Sequence, residues 1–269
     1  MNKKGKSTLE KFTKILKLQN YATNTIKIYN HYVIEFISGY NKPALHISAK
    51  EVKLYIEKYN YSSISQQNQI YSAIKLFAKQ ILNIKRLDNI ILKRPKRVKS
   101  LPKVIDSEFL KTQILAINNL KHKAILSLGY SCALRVSEVI NLKMDDIDRK
   151  RMLIHIRNAK GRKDRFVKLS EPLLLILEEY YKEYKPVEYL FNGQFSPQYS
   201  AASCNKIMKK HVGADTHFHL LRHSGATSLH EKGLDIMILS KYLGHNSVKT
   251  TQIYTHVSNR NIQNIQSPI

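Results

Sequence analysis

Apolar positions over residues 1–92 recur at intervals of three and four, the period of a helix with one buried face. Phe12, Ile15 and Leu16 form one such stripe, and Ser7 with Glu10 three places on reads as a capping box that opens it. Ile26, Tyr29, Val33 and Phe36 form a second stripe behind Thr23 or Asn24, and Gly39 and Pro43 end it. Ser48 and Glu51 repeat the capping pattern ahead of Val52, Tyr55, Ile56 and Tyr59. Ile70, Ile74, Phe77 and Ile81 make a fourth stripe. Four amphipathic helices of this length predict a small all-α bundle.

Further along, the pattern mixes periods. Asp106 is placed to cap a helix, and Ala124–Tyr130 is apolar enough to be a buried one. Met152–Ile156 and Phe166–Leu169 read as strands, with Lys160-Gly161 at the turn between them, the signature of a hairpin. Pro172 suits the first turn of a helix running from Leu173 to Tyr181. Further helices are predicted around 201–211, 218–231, 234–243 and 250–258, with Gly233 as a C-cap. The expected fold class is therefore two-domain: an all-α N-terminal bundle over 1–92 and a mainly α domain with a small antiparallel β-sheet over 104–269. Residues 93–103 between them are basic and punctuated by proline.

Composition narrows the partner. Lys plus Arg number 45 against 20 acidic residues, a formal charge of +25. Such an excess implies a polyanion, either nucleic acid or an anionic membrane surface. No apolar run approaches the roughly 20 residues of a membrane span, and the basic N-terminus leads into polar residues rather than a signal core. Nucleic acid fits better. The linker residues Lys93, Arg94, Lys96, Arg97 and Lys99 read either as a solvated connection or as a hinge crossing a phosphate backbone, and the two readings are compatible. Cys132 and Cys204 have no zinc spacing, and Cys132 lies in an apolar run as a small core residue. A cytoplasmic protein without disulfides is the expectation. The nine glycines form no phosphate-cradling loop.

Chemistry concentrates near the C-terminal end. His219 and Arg222, three residues apart, project from one helix face, where a guanidinium fork and an imidazole meet a phosphate together. His245 follows Leu243-Gly244, and Tyr254 comes nine residues later. A phenol beside a phosphate cradle can attack phosphorus and form a phosphotyrosyl enzyme. It titrates near pH ~10, so neutral-pH attack requires nearby positive charge or a base. Upstream stand Arg135, with Glu138 at i+3, and the basic turn Lys160-Gly161-Arg162-Lys163-Asp164-Arg165. Each has a plain alternative: Arg135 and Glu138 a buried ion pair, the turn cations exposed residues, His245 a helix-end histidine, Tyr254 one of 16 tyrosines used for packing. His219 and His223 are also four apart, a zinc spacing. Arg222 between them and the lack of a nearby carboxylate or thiolate argue against a metal there.

In order and spacing, Arg135, Lys160, His219, Arg222, His245 and Tyr254 match the pattern of the tyrosine recombinase (phage integrase, Xer-like) family. The chain resembles that family over essentially its whole length, most sharply from Arg135 to Tyr254. The family's hairpin lysine precedes a glycine, which selects Lys160 over Lys163. Ala133 stands where the family usually has Gly, and Ala keeps a close approach there if its φ is negative. The resemblance implies a DNA breaking-rejoining catalytic domain behind a SAM-like core-binding domain. It implies Tyr254 as nucleophile, Arg135 and Arg222 on the scissile phosphate, and Glu138 orienting Arg135. It implies His219 as base or hydrogen-bonding partner, His245 as a donor to the phosphate, and Lys160 as the acid for the leaving 5′ oxygen. No metal or other cofactor is implied. The partners implied are double-stranded DNA target sites, with contacts extending to Arg162 and Lys163, and a homotetramer on paired sites, nucleoid-associated. In that tetramer the tail, with Ile262, Ile265 and Ile269, docks on a neighbouring protomer. The expectation is a compact Xer-like or mobile-element recombinase without the arm-binding domain of lambda-like integrases. A type IB topoisomerase and a non-catalytic DNA-binding regulator are the competing readings.

Overall fold

Helices form where the hydrophobic stripes fall. The structure is a computed structural model that describes residues 3–84, 102–159 and 163–255. It divides into two units, residues 1–99 and 100–269. In the first, α1 (Lys3–Leu18), α2 (Thr23–Ser38), α3 (Ala49–Lys58) and α4 (Ile64–Gln80) enclose a core that includes Phe12, Leu16, Val33, Phe36, Val52, Ile70, Ile74 and Phe77. Each such side chain contributes about 1.5–3 kcal/mol of burial before ordering costs. Phe12 meets Phe77 edge-on, as Tyr55 does Phe36.

The caps differ in two places from the sequence reading. α1 begins at Lys3, so Ser7 and Glu10 lie inside it rather than at its start. α2 starts after Ala22, whose backbone is extended but which has no side chain to cap with; Thr23 is already helical. At α3 the Ser48–Glu51 box does form, with the Glu51 carboxylate accepting the Ser48 N–H at 2.8 Å.

In the second unit α5 (Ser107–Leu115) is capped by Asp106, and α6 (Leu120–Ser131) is buried from Ala124 to Tyr130. The short α7 (Val136–Asn141) leads to a three-stranded antiparallel sheet in the order β1 (Ile147–Asp148), β2 (Leu153–Ala159), β3 (Lys163–Lys168). β1, two residues long, is too short to leave a periodic signal. Ile154, Ile156 and Val167 bring the sheet into the core that α6 runs through. Then come α8 (Glu171–Tyr184), α9 (Ala201–His211), α10 (His219–Glu231) and α11 (Ile236–Leu243). α10 packs against α6 at Gly225, where an added Cβ would stand 2.2 Å from the Tyr130 carbonyl oxygen.

Over 250–255, the described part of the helix expected at 250–258, no α-helix forms. Val248–Thr250 and Gln252–Tyr254 are separate 3-10 turns around the buried Thr251, and they set Tyr254 into a small apolar cluster with Ala133, Ala226, Leu239 and Leu243. The tail over 259–269 lies outside the described residues. No described helix is long and apolar enough to cross a membrane.

Candidate active site

The site is built on the turn that joins α6 to α7. Ala133 adopts φ +49°, not the negative φ expected of it. A left-handed residue with a Cβ costs roughly 1–2 kcal/mol, which accounts for the glycine the resemblance associates with this position. The turn brings the Ala133 carbonyl to α10, where it accepts from Arg222 Nη1 at 2.8 Å. It also sets Arg135 at the start of α7, with Nη1 donating to Glu138 Oε1 at 2.7 Å and the backbone N–H to Oε2 at 2.8 Å.

Glu138 holds more than Arg135. Both Nη atoms of Arg165, on β3, donate to its two oxygens at 2.9 Å, and Arg222 Nη1 lies 3.5 Å from Oε2. Burial alone would push this carboxyl up. The hydrogen bonds and charge of Arg165, the Arg135 N–H and the charge of Arg222 outweigh burial and hold it at about 2. One carboxylate therefore ties together guanidiniums from α7, β3 and α10. Arg165 is thus not an exposed turn residue. It is largely buried, and its Nε donates to the Tyr242 carbonyl at 2.7 Å, joining the hairpin to the end of α11.

Arg222 is 1% exposed. Burial, with Arg135 beside it, pushes its pKa down to about 10, so it stays charged at neutral pH. Its Nη2 donates to the Leu243 carbonyl at 2.7 Å and to His245 Nε2 at 3.2 Å. Arginine has only donors, so Nε2 of His245 is an acceptor and the ring proton sits on Nδ1. That nitrogen lies 2.8 Å from Thr251 Oγ1 and donates to it. α11 ends with Gly244 at φ +64°, and a Cβ there would meet the Arg165 side chain at 3.2 Å.

His219 opens onto solvent, yet the wall around it strips part of its hydration. That, with Arg222, His217 and Arg135, lowers its pKa. One turn along α10 the His223 ring meets it edge-on, centroids 4.5 Å apart. The Tyr254 hydroxyl lies 3.1 Å from His223 Nδ1. Burial raises the phenol pKa, while Arg222 and Arg135 pull it the other way.

Arg135, His219, Arg222, His245 and Tyr254 line one cavity of about 320 Å³, together with His223. Convergent guanidiniums and imidazoles around a phenol suit a phosphodiester. The remaining candidate, Lys160, lies outside the described residues, as do Arg162, Lys93, Arg94, Lys96, Arg97 and Lys99; Lys163 opens β3 with its side chain undescribed.

The chain matches the phage integrase family over residues 97–261 and the phage integrase N-terminal SAM-like domain over residues 8–86. It belongs to the phage integrase family. It is 36% identical to the tyrosine recombinase XerA of Pyrococcus horikoshii over 269 residues, 95% of this chain and 90% of the relative. To XerA of Pyrococcus furiosus it is 34% identical over 268 residues, 95% and 91% of the two chains. A crystal structure of XerA recombinase matches with a TM-score of 0.56 at 28% identity, covering 98% of this chain and all of the other. The XerH site-specific recombinase bound to its difH substrate shares the fold, with a TM-score of 0.71 at 22% identity over 95% and 82% of the chains. The protein is a tyrosine site-specific recombinase, and neither the topoisomerase nor the regulator reading is favoured.

Three residues of this recombinase's site escaped sequence reasoning. Arg165 is hidden among four turn cations, and only its place on β3 separates it. His223 stood in view beside Arg222, but nothing local shows that its ring faces Tyr254. Thr251, whose hydroxyl meets His245 Nδ1, has no sequence signal at all.

Proposed function

We propose that Tyr254 attacks the scissile phosphate and leaves a 3′-phosphotyrosyl bond and a free 5′ hydroxyl. Arg135 and Arg222 hold the phosphate, with Glu138 keeping both aimed. Lys160 protonates the leaving oxygen from the hairpin, and His219 binds a phosphate oxygen from the open side of the cavity. Donation by His245 requires a second proton on its ring, because Nε2 accepts from Arg222 in the structure; a phosphate drawing Arg222 to itself favours that proton. The 5′ hydroxyl of a partner duplex then reverses the step through a Holliday junction, and the phosphotyrosine conserves the bond energy, so no cofactor is required.

On this reading the N-terminal unit is a core-binding domain over 1–92, and the basic segment 93–103 follows the DNA backbone into the catalytic domain, 104–269. Four copies assemble on paired sites in the cytoplasm, at the nucleoid. The observation that carries the chemistry is the convergence of five matched residues on one cavity around the Tyr254 hydroxyl. A suicide substrate nicked near the cleavage point tests it: wild-type protein is expected to give a covalent adduct on a denaturing gel. Tyr254→Phe is expected to bind the same DNA and give none. An adduct in that variant places the nucleophile elsewhere.

A further inference from the structure

We propose that His223 is a catalytic residue that takes the proton of Tyr254 as the phenol attacks phosphorus. The contact is direct, Nδ1 to Oη at 3.1 Å. The tyrosine is 1% exposed, so the imidazole occupies the position from which solvent would otherwise collect the proton. The two rings are tilted at 50° with centroids 5.8 Å apart, an arrangement in which the edge of His223 faces the hydroxyl. His219, the histidine the family pattern brings forward, instead packs edge-on against the far partner of that pair, His223 itself.

The surroundings keep His223 ready to accept. Burial, then the charges of His219, Arg222 and His217, push its pKa down to about 4. At neutral pH the ring is therefore uncharged, and the tautomer with its proton on Nε2 offers Nδ1 to the phenol. The phenol's own pKa is raised by burial, so it does not ionise unaided before attack. A base this weak would be a poor partner if its environment were fixed. The environment is not fixed: a phosphodiester entering the cavity neutralises Arg222, one of the charges depressing His223. The ring thus becomes more basic when substrate arrives.

The step balances. The Oη–H proton passes to His223 Nδ1, the Oη–P bond forms and the P–O5′ bond breaks. The departing O5′ takes a proton from Lys160 or solvent. On rejoining, the incoming 5′ hydroxyl gives its proton to Lys160 or solvent, the P–O5′ bond forms, the Oη–P bond breaks and the imidazolium returns its proton to Oη.

The inference rests on Tyr254 as the nucleophile, so Tyr254→Phe runs beside it: an adduct there overturns that assignment whatever His223 does. His223→Asn sets an amide oxygen near the position of Nδ1 and keeps an acceptor that carries no proton; His223→Ala removes both. Cleavage of the nicked substrate is expected to fall roughly 10²–10⁴-fold in each, with DNA binding unchanged, and added imidazole is expected to restore the alanine variant. Wild-type rates in His223→Asn overturn the proposal, leaving His223 an orienting acceptor only. Failure of imidazole to rescue a folded, DNA-binding His223→Ala overturns it too. If His223→Ala does not fold, His223→Asn is combined with 3,5-difluorotyrosine at position 254. A more acidic phenol restores the rate if a base was lost, and no restoration overturns the proposal.

Discussion

Glu138 is one buried carboxylate facing three guanidiniums, those of Arg135, Arg165 and Arg222. The cluster keeps an excess of positive charge, as the proposed binding of a phosphodiester requires. Its own stability is linked to pH. The carboxyl is held at about 2, below its ordinary 4.5, so its contribution is complete above about pH 4.5 and lost as pH falls towards 2. The shift corresponds to about 3 kcal/mol. Urea unfolding at pH 6 and pH 3 is expected to show about 2 kcal/mol of that loss in the wild type, the rest following nearer pH 2. Glu138→Gln is expected to be destabilised by about 3–5 kcal/mol at pH 6 and to lack this component of the acid loss. Equal acid sensitivity in both proteins would assign it to other carboxylates. Lys160 is tested by the leaving group. Lys160→Ala is expected to cut ordinary DNA slowly and to recover on a substrate whose 5′-bridging oxygen is sulfur, which leaves without a proton. Equal slowness on both substrates transfers the role to another group, Lys163 first.

Elements set the site through one crossing and one turn. α10 carries His219, Arg222 and His223, and its position over α6 depends on Gly225, where any Cβ meets backbone rather than a side chain that can move aside. Gly225→Ala improves local helix propensity by about 1 kcal/mol and forces the helices apart, and the second effect is the larger. The variant is expected to lose about 1–3 kcal/mol in denaturant melts. Its cleavage rate should fall further than its DNA binding, since three site residues move together. A melt at or above wild type, with full cleavage, rules out a tight crossing. The turn at Ala133 works differently: it accepts a strained φ to direct a carbonyl at Arg222, so its value lies in geometry rather than in stability.

At the scale of the molecule, charge and tail matter most. A net +25 suits a recombinase whose partner is DNA, and binding of this kind weakens steeply with salt. The tail residues Ile262 and Ile265 lie three apart in a polar segment too short to hold a helix alone. Docked on a neighbouring copy they contribute roughly 3–6 kcal/mol before ordering costs, enough to favour assembly on DNA over assembly in free solution. Deleting residues 259–269 is expected to leave single-site binding intact and to abolish cooperative binding to paired sites and complete strand exchange. Recombination of two sites at the full-length rate by the truncated protein means that the tail docks on its own domain or nowhere.

Periodicity in the sequence determined the four N-terminal helices, the Ser48 and Asp106 caps and the strands flanking Lys160, because each depends on neighbours within a few residues. The ordered set from Arg135 to Tyr254 was visible as a pattern of side chains, and five of its six residues line one cavity. Packing decided the rest. Arg222 meets the Ala133 carbonyl across 89 residues of chain, and His223 meets Tyr254 across 31; no local pattern records such a meeting. Arg165 reads as one turn cation among several until β3 turns it towards Glu138. The 3-10 turns over 248–254 stand where the described part of the expected helix would begin, because burying Thr251 and the phenol outweighs local helix preference. Local period decides which face a segment buries, but only the folded chain decides which buried groups touch.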